Sequence, residues 1–168
     1  MKPVEIDAFD FARLKEQRDG EVAVAQLSRL AKECVDNSGT LRWVLSGATH
    51  DSGHPQLSVD VTGDVQLMCQ RCLSPFAYTI DSESILILAQ DEPQADQVEA
   101  MLGDDSLDVI VGSKVMSVID LVEDEALLAI PQAPKHAQCP GQPMTGIDQE
   151  IELEMKPSPF AVLKNLKH

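Results

Sequence analysis

Residues 57–67 read Leu-Ser-Val-Asp-Val-Thr-Gly-Asp-Val-Gln-Leu and alternate apolar with polar side chains. This alternation with a period of two is typical of a β-strand that buries one face and exposes the other. Residues 41–45 before it and residues 77–88 after it continue the pattern. The sequence therefore predicts an α+β fold built on an antiparallel sheet or a partly closed β-barrel.

Helical patterns flank the predicted sheet on its N-terminal side. Residues 4–6 are predicted as a short opening strand, and Asp7 is a candidate N-cap for a helical turn that contains Phe9, Phe11 and Leu14. Residues 22–35 carry apolar side chains at helical spacing and are predicted as an amphipathic helix. The helices are thus expected to pack against the sheet.

The second half of the chain is less regular. Residues 91–105 are polar and are predicted as a flexible excursion with one helical turn, and residues 107–111 as a further strand. Residues 115–130 have a wide apolar stripe and form the clearest helix, which Pro131 ends.

Proline content separates the end of the chain from the rest. Residues 131–159 hold six of the ten prolines, and residues 160–166 return to helical spacing. We therefore predict a single α+β domain over residues 1–140 and an extended tail over residues 141–168, made of a Pro-rich linker and a short C-terminal helix.

Composition restricts the class of protein and its partners. The net charge of −15 should repel a polyanion, so bare RNA is a poor direct partner and a basic protein or a metal ion is a better one. No apolar run is long enough for a membrane span or an export signal, which predicts a cytoplasmic protein with no membrane partner. Its four cysteines are then reduced thiols or metal ligands.

The motif Cys69-Gln-Arg-Cys72 is the local pattern with a chemical meaning, and three interpretations remain open. Two intervening residues allow both thiols to face one metal ion or to form a redox pair. A redox pair should open a helix, whereas this motif leads into another strand. Zinc needs further ligands, which His136 and Cys139 supply as a Cys3His set. The third interpretation is a tight turn with two reduced thiols.

The acidic run Glu123-Asp124-Glu125 in the clearest helix has two interpretations. It has the composition of an acid/base or metal-ligating pair, but it is more simply the solvated face of an amphipathic helix. A further hypothesis turns one of these carboxylates inward, where it forms an ion pair with Arg71 of the knuckle, the turn that contains Cys69 and Cys72.

The remaining cysteine and histidine candidates are predicted to have structural rather than catalytic roles. Cys34 lies on an apolar face and is predicted to be part of the core, and His50 and His54 are predicted to be exposed in a turn. The sequence contains no Gly-rich phosphate loop, no serine nucleophile elbow and no HExxH motif. It shows no assembled active site.

Three stretches together resemble the YceD family, the bacterial large ribosomal RNA subunit accumulation proteins. They are residues 67–76 (LMCQRCLSPF), residues 120–131 (DLVEDEALLAIP) and residues 157–166 (PSPFAVLKNL). Their order and spacing match the family, so the resemblance covers roughly the whole chain. Ser158 stands where the family commonly has Asn, and some relatives have more cysteines after the position of Pro131.

The resemblance implies a non-enzymatic role in the synthesis, processing or stability of 23S ribosomal RNA. With the charge of −15, it suggests action through a precursor of the large subunit or a basic ribosomal or assembly protein. Candidate partner-binding residues lie in three places: Arg71 in the knuckle, Glu123 and Glu125 in the acidic run, and Phe160, Leu163 and Leu166 in the tail helix. The alternatives are a thiol redox or metal-dependent enzyme that uses Cys69 and Cys72, and a small-ligand binding barrel.

Overall fold

The computed structural model describes residues 4–103 and 107–140 of the chain. The strands in these ranges are β1 (Glu5–Ile6), β2 (Gln17–Ala23), β3 (Thr40–Thr49), β4 (Pro55–Met68), β5 (Pro75–Ala89), β6 (Asp108–Val111) and β7 (Met116–Ser117). The α-helices are α1 (Ala8–Arg13), α2 (Leu30–Glu33), α3 (Glu92–Leu102) and α4 (Val118–Ala129).

The strands form one five-stranded sheet and one small two-stranded sheet. The large sheet has the order β2-β3-β4-β5-β6, in which the first three pairs are antiparallel and β6 runs parallel to β5. Strands β1 and β7 pair with each other antiparallel. The α+β prediction is confirmed in the form of an open, mixed sheet rather than a closed barrel.

The core lies between one face of the large sheet and the helices α1 and α4. Alternate residues of β4 face it, as the period-two pattern predicts, and they are Leu57, Val59, Val61, Val65 and Leu67, each 1% exposed or less. Full burial of such an aliphatic side chain contributes roughly 1.5–3 kcal/mol. This layer holds the ends of β4, β5 and α4 in fixed relative positions.

Close contact between α1 and the sheet depends on Gly47 of β3. A Cβ at this position would lie 2.3 Å from the carbonyl oxygen of Phe11, and the N–H of Gly47 donates a hydrogen bond to the carbonyl oxygen of Glu16 at 2.8 Å. Only a residue without a side chain fits here. The predicted cap is confirmed, since the Asp7 carboxylate accepts hydrogen bonds from the N–H groups of Phe9 and Asp10.

The predicted helix over residues 22–35 is wrong. The chain continues as β2 to Ala23, turns through a short 3-10 helix at Val24–Gln26 and forms only one α-helical turn in α2. Pairing with β3 decides the outcome, since Val22 lies opposite Leu41 in the ladder. A spacing of two or three positions between apolar residues can be buried in a helix or in a strand, so the sequence pattern did not discriminate between helix and strand.

The predicted flexible excursion after β5 is largely a helix, α3. The Asp91 carboxylate accepts a hydrogen bond from the N–H of Gln94 at 2.9 Å, and Gly103 ends the helix in the left-handed conformation with φ of 57°. Ala95 and Val98 are buried. Strand β6 follows as predicted.

Helix α4 begins later than predicted and ends where predicted. Met116 and Ser117 form β7, and the Ser117 hydroxyl accepts a hydrogen bond from the N–H of Asp120 at 3.2 Å, so the helix begins at Val118. It ends at Ala129, ahead of Pro131. In the part of the chain described, no helix combines the length and the apolar character that crossing a membrane requires.

Candidate metal centre

The knuckle between β4 and β5 positions the two thiols of the CxxC motif. The N–H of Cys69 donates to the carbonyl oxygen of Ser74 at 3.0 Å, and the N–H of Leu73 donates to the carbonyl oxygen of Cys69 at 2.9 Å. Leu73 adopts a left-handed φ of 57°, which closes the turn. The motif thus lies between two strands, as predicted, and not at the start of a helix.

The segment after α4 returns to the knuckle and lies against it. The N–H of Gln70 donates to the carbonyl oxygen of Pro134 at 2.8 Å, and Arg71 Nη2 donates to the carbonyl oxygen of His136 at 3.2 Å. The rings of Phe76 and His136 are in contact, with centroids 4.8 Å apart. These contacts hold residues 131–140 over the turn, although the two segments are distant in sequence.

This packing brings together the four predicted ligands, Cys69, Cys72, His136 and Cys139, whose ligand atoms all lie within 4.8 Å of one another. The sulfurs of Cys69 and Cys139 are 3.7 Å apart, and the sulfur of Cys72 is 3.4 Å from His136 Nδ1. Two sulfurs bound to one tetrahedral zinc ion are about 3.8 Å apart, as follows from a Zn–S distance of about 2.3 Å. The Cys3His group therefore has the composition and the approximate size of a zinc site.

The surroundings of the sulfurs favour thiolate at Cys69. Burial opposes ionisation of Cys69, but hydrogen bonds from the backbone of Cys72, His136 and Arg71 and from the His136 side chain lower its pKa to about 5. Burial raises the pKa of Cys139, which the hydrogen bond from Arg71 partly offsets. A cysteine binds a metal ion as the thiolate, so the lowered pKa of Cys69 suits metal coordination.

Arg71 belongs to this group and not to the acidic run. Its Nε donates to the sulfur of Cys139 at 2.9 Å, which raises the pKa of Arg71, and its second donor goes to the backbone of His136. The hypothesis that Arg71 pairs with a carboxylate of α4 is wrong, because the guanidinium donates to Cys139 and His136 instead. If the Cys3His group held a metal ion, Arg71 would support its ligands without binding the ion itself.

Glu123 is turned inward, and its partner is Arg29. Its carboxylate accepts hydrogen bonds from the N–H of Arg29 at 2.6 Å, the N–H of Leu30 at 3.1 Å and Arg29 Nε at 2.9 Å. Burial would raise the pKa of Glu123, but these three donors and the positive charge of Arg29 lower it. Glu123 thus fixes the start of α2 against α4.

Glu125 is also turned inward, with a different partner. It is 7% exposed, and in the part of the chain described its carboxylate accepts a hydrogen bond from the hydroxyl of Ser82. The prediction that the acidic run is a solvated helix face is therefore wrong for Glu123 and Glu125, because α4 packs on the sheet on one side and on α2 on the other. Asp124 remains exposed and pairs with Arg29.

The other candidates lie outside the metal centre. Cys34 is partly buried against the core, as predicted, and burial raises its pKa. His50 and His54 lie in the turn between β3 and β4 as predicted, but they are half-buried rather than exposed, and the N–H of His50 donates to the carbonyl oxygen of His54. The tail residues Phe160, Leu163 and Leu166 lie outside the described residues.

Sequence comparison relates the chain to known proteins. Residues 57–167 match the family described as "Large ribosomal RNA subunit accumulation protein YceD". The chain belongs to the YceD family. A YceD protein of Haemophilus influenzae with the same description is 30% identical over 170 residues, which cover 98% of this chain and 95% of the relative. No solved structure matches the chain.

Two of the stretches that carry the YceD resemblance meet in the structure. Residues 67–76 form the end of β4, the knuckle and the start of β5, and residues 120–131 form most of α4 and its end. The hydroxyl of Tyr78, just beyond the first stretch, donates to the carbonyl oxygen of Ala129 at 2.9 Å. Residues of both stretches also line one groove of about 250 Å³, among them Gln70 and Ile130.

Proposed function

We propose that this protein is a non-enzymatic accessory factor of ribosome biogenesis that supports the synthesis, processing or stability of 23S ribosomal RNA. The observation that carries the proposal is membership of the YceD family, with a relative aligned over 98% of the chain. The function in the name of that relative is extended here to this chain. We further propose that it acts in the cytoplasm.

The second part of the proposal is that the Cys3His group binds zinc and has a structural role. Its four ligands come from the knuckle and from residues 136–139, so a bound ion would join the end of the chain's described part to the β4–β5 hairpin. The segment 131–140 contains no helix or strand, and a metal ion would supply the stability that regular hydrogen bonding does not. All four positions are taken by protein ligands, which is the composition of a structural zinc site.

The competing function is a thiol redox enzyme that uses Cys69 and Cys72. The pKa of about 5 at Cys69 favours it. Burial argues against it, because Cys69 is completely buried and a substrate disulfide cannot reach its sulfur without local opening. Zinc at one equivalent per chain, with no turnover in a disulfide reductase assay, would support the structural role. Turnover that is lost in Cys69→Ser would replace it with the enzyme.

The partner that we propose is a basic ribosomal or assembly protein, or the precursor of the large subunit that carries it. A net charge of −15 favours association with a basic surface and opposes direct wrapping by RNA. We propose the tail residues Phe160, Leu163 and Leu166 as one contact. Among the candidates in the described part, Arg71 donates to Cys139 and Glu123 is paired with Arg29, whereas Glu125 has only the neutral hydroxyl of Ser82, so Glu125 is the strongest candidate for contact with a basic partner.

Sedimentation tests the proposal directly. The tagged full-length protein should travel with large-subunit precursors in a sucrose gradient, and truncation before Phe160 should move it to the top. The matched control is Phe160→Tyr in the full chain, which keeps the apolar ring. Absence from precursor fractions at physiological salt would contradict the proposal, and recovery of bare 23S RNA without protein would contradict a protein partner.

A further inference from the structure

A groove between α4 and the sheet edge contains a buried carboxylate and a buried hydroxyl, and within the described part of the chain the hydroxyl has no hydrogen-bond partner. Its volume is about 270 Å³, and its walls come from β5, β6 and α4. The buried carboxylate of Glu125 lines it, and so does Ser84, whose hydroxyl oxygen is buried and has no hydrogen-bond partner. Buried polar groups of this kind are normally paired, so the groove lacks a hydrogen-bond partner for Ser84.

Glu123 and Glu125 are the two buried carboxylates of α4, and the difference between them indicates that the groove lacks a cation. Glu123 is neutralised by the guanidinium of Arg29, at 2.9 Å. Glu125 is equally buried, yet within residues 4–103 and 107–140 no basic side chain lies within ion-pair distance of it, and its donor is the neutral hydroxyl of Ser82. A buried carboxylate without a cation is costly, and a lysine or arginine from outside would remove that cost.

The other residues that line the groove indicate which kind of residues flank the basic side chain in the partner. Leu121, Glu125 and Leu128 follow one row along α4, and Leu128 is 78% exposed. Ile110 of β6 faces them across the groove, and Asp108 adds negative charge, whereas Asp124 is already paired with Arg29. The groove has apolar walls and carries the negative charge of Glu125 and Asp108. Such a groove suits a basic side chain whose neighbours in the sequence are apolar.

We propose that this groove is the docking site for a lysine or arginine side chain, flanked by apolar residues, from the basic partner protein. The inference rests on the proposed function, because that function supplies a basic partner. The partner's ammonium or guanidinium group pairs with Glu125 and donates to the hydroxyl of Ser84, and its apolar neighbours cover Leu128. The net charge of −15 attracts a basic partner.

The first test uses n-hexylammonium as a probe on the full-length protein, with hexanoate and 1-hexanol as matched probes. NMR titration should shift the methyl signals of Ile110, Leu121 and Leu128 with hexylammonium. Glu125→Gln, which retains an acceptor for Ser82, should weaken this binding about ten-fold, the value of one charge-assisted hydrogen bond. Glu83→Gln, on the exposed part of β5, should leave it unchanged. Equal binding of hexanol, or shifts elsewhere on the surface, would overturn the inference.

The same titration distinguishes other occupants. If Lys164→Gln in the full chain increases hexylammonium affinity, this chain's own tail occupies the groove and the partner is excluded. If the protein forms a dimer in sedimentation equilibrium that Leu128→Ser dissociates, a second copy is the occupant. Either result overturns the inference as stated.

The partner itself is tested with large-subunit precursors in the gradient. Leu128→Ser should reduce co-sedimentation, while Met101→Ser, an exposed apolar residue on α3, should not. If precursors bind normally to Leu128→Ser and Glu125→Gln, the groove is not the docking site although the proposed function stands. If the wild type binds hexylammonium but no precursor, the proposed function fails, and with it the assignment of the partner.

Discussion

The carboxylate of Glu123 accepts hydrogen bonds from both the backbone N–H and the side-chain Nε of Arg29, across 94 residues of sequence. A third hydrogen bond comes from the N–H of Leu30. One carboxylate thus satisfies two donors at the start of α2, a helix of four residues that has no side-chain cap of its own. The position of α2 therefore depends on α4.

Replacement of Glu123 should destabilise the fold. We expect Glu123→Ala to lower the free energy of unfolding by about 2–4 kcal/mol, because the buried N–H of Leu30, the partly buried N–H of Arg29 and a guanidinium lose their acceptor. Urea unfolding followed by circular dichroism measures this. Glu83→Ala, at an exposed carboxylate, should change the free energy by less than about 0.5 kcal/mol. Equal effects of the two substitutions would show that Glu123 is not a structural acceptor.

The same residue should make stability dependent on pH. The pKa of Glu123 is lowered in the folded protein, so its contribution is complete above the unfolded pKa of about 4.3 and is lost as pH falls through the folded value. The difference in unfolding free energy between wild type and Glu123→Gln should be constant above about pH 5.5 and should shrink below about pH 4.3. A difference that grows on acidification would have the wrong sign.

Gly47 should not tolerate a side chain. We expect Gly47→Ala to cost roughly 2–4 kcal/mol, because its methyl group would collide with the backbone of α1 at Phe11. Gly103→Ala is the matched control: it has a positive φ but open space around its Cβ position, and it should cost about 1 kcal/mol. Thermal unfolding of both variants compares them. A smaller loss at Gly47 than at Gly103 would contradict the close approach.

Removal of the metal should loosen the end of the domain. If the Cys3His group binds zinc, a strong chelator should lower the Tm by about 6–12 °C, which corresponds to about 3 kcal/mol for a domain of this size. Cys139→Ala should abolish stoichiometric zinc in elemental analysis. Cys34→Ala should retain it, because Cys34 lies outside the ligand group. Full zinc content in Cys139→Ala would rule out the proposed ligand set.

Arg71 should tune the metal site from outside the ligand shell. Its Nε lies 2.9 Å from the sulfur of Cys139, so we expect Arg71→Ala to weaken zinc affinity about 10–100-fold. Arg71→Lys keeps the charge but not both donors and should be intermediate. Competition with a zinc-binding dye measures the affinities. Identical affinities for all three proteins would assign Arg71 no part in the site.

The sequence was most informative where local pattern and pairing agree. The alternation over residues 57–67 predicted β4, and the break at Cys69 predicted the knuckle, because both depend on neighbours along the chain. The helix prediction for residues 22–35 was wrong, because their apolar spacing suits both a helix and a strand. Pairing of β2 with β3 decided between the two. Helix α3 is predicted only as one turn within a flexible excursion, although the cap Asp91 and the terminal Gly103 mark its full length.

The candidate site divides in the same way. The two-residue spacing in CxxC and HxxC identified the four residues of the Cys3His group that the structure brings together, because that spacing lets both side chains of a pair face one point. Nothing local connects Arg29 with Glu123 or Ser82 with Glu125, and these pairs arise from packing between segments far apart in the chain. From the sequence alone, a run of charged residues on an amphipathic helix is predicted to be exposed to solvent. Its burial can be recognised only when the elements that pack against the helix on both sides are known.

The pairing of β1 with β7 has a consequence for the order of folding. Residue Glu5 lies opposite Ser117, so β1 finds its partner only after the five strands of the large sheet and α1 to α3 have been made. Contacts of such long range close large loops and slow the search for the native topology. During synthesis the hairpins of the large sheet can form early, whereas β1 must wait, unpaired, for β7 to emerge.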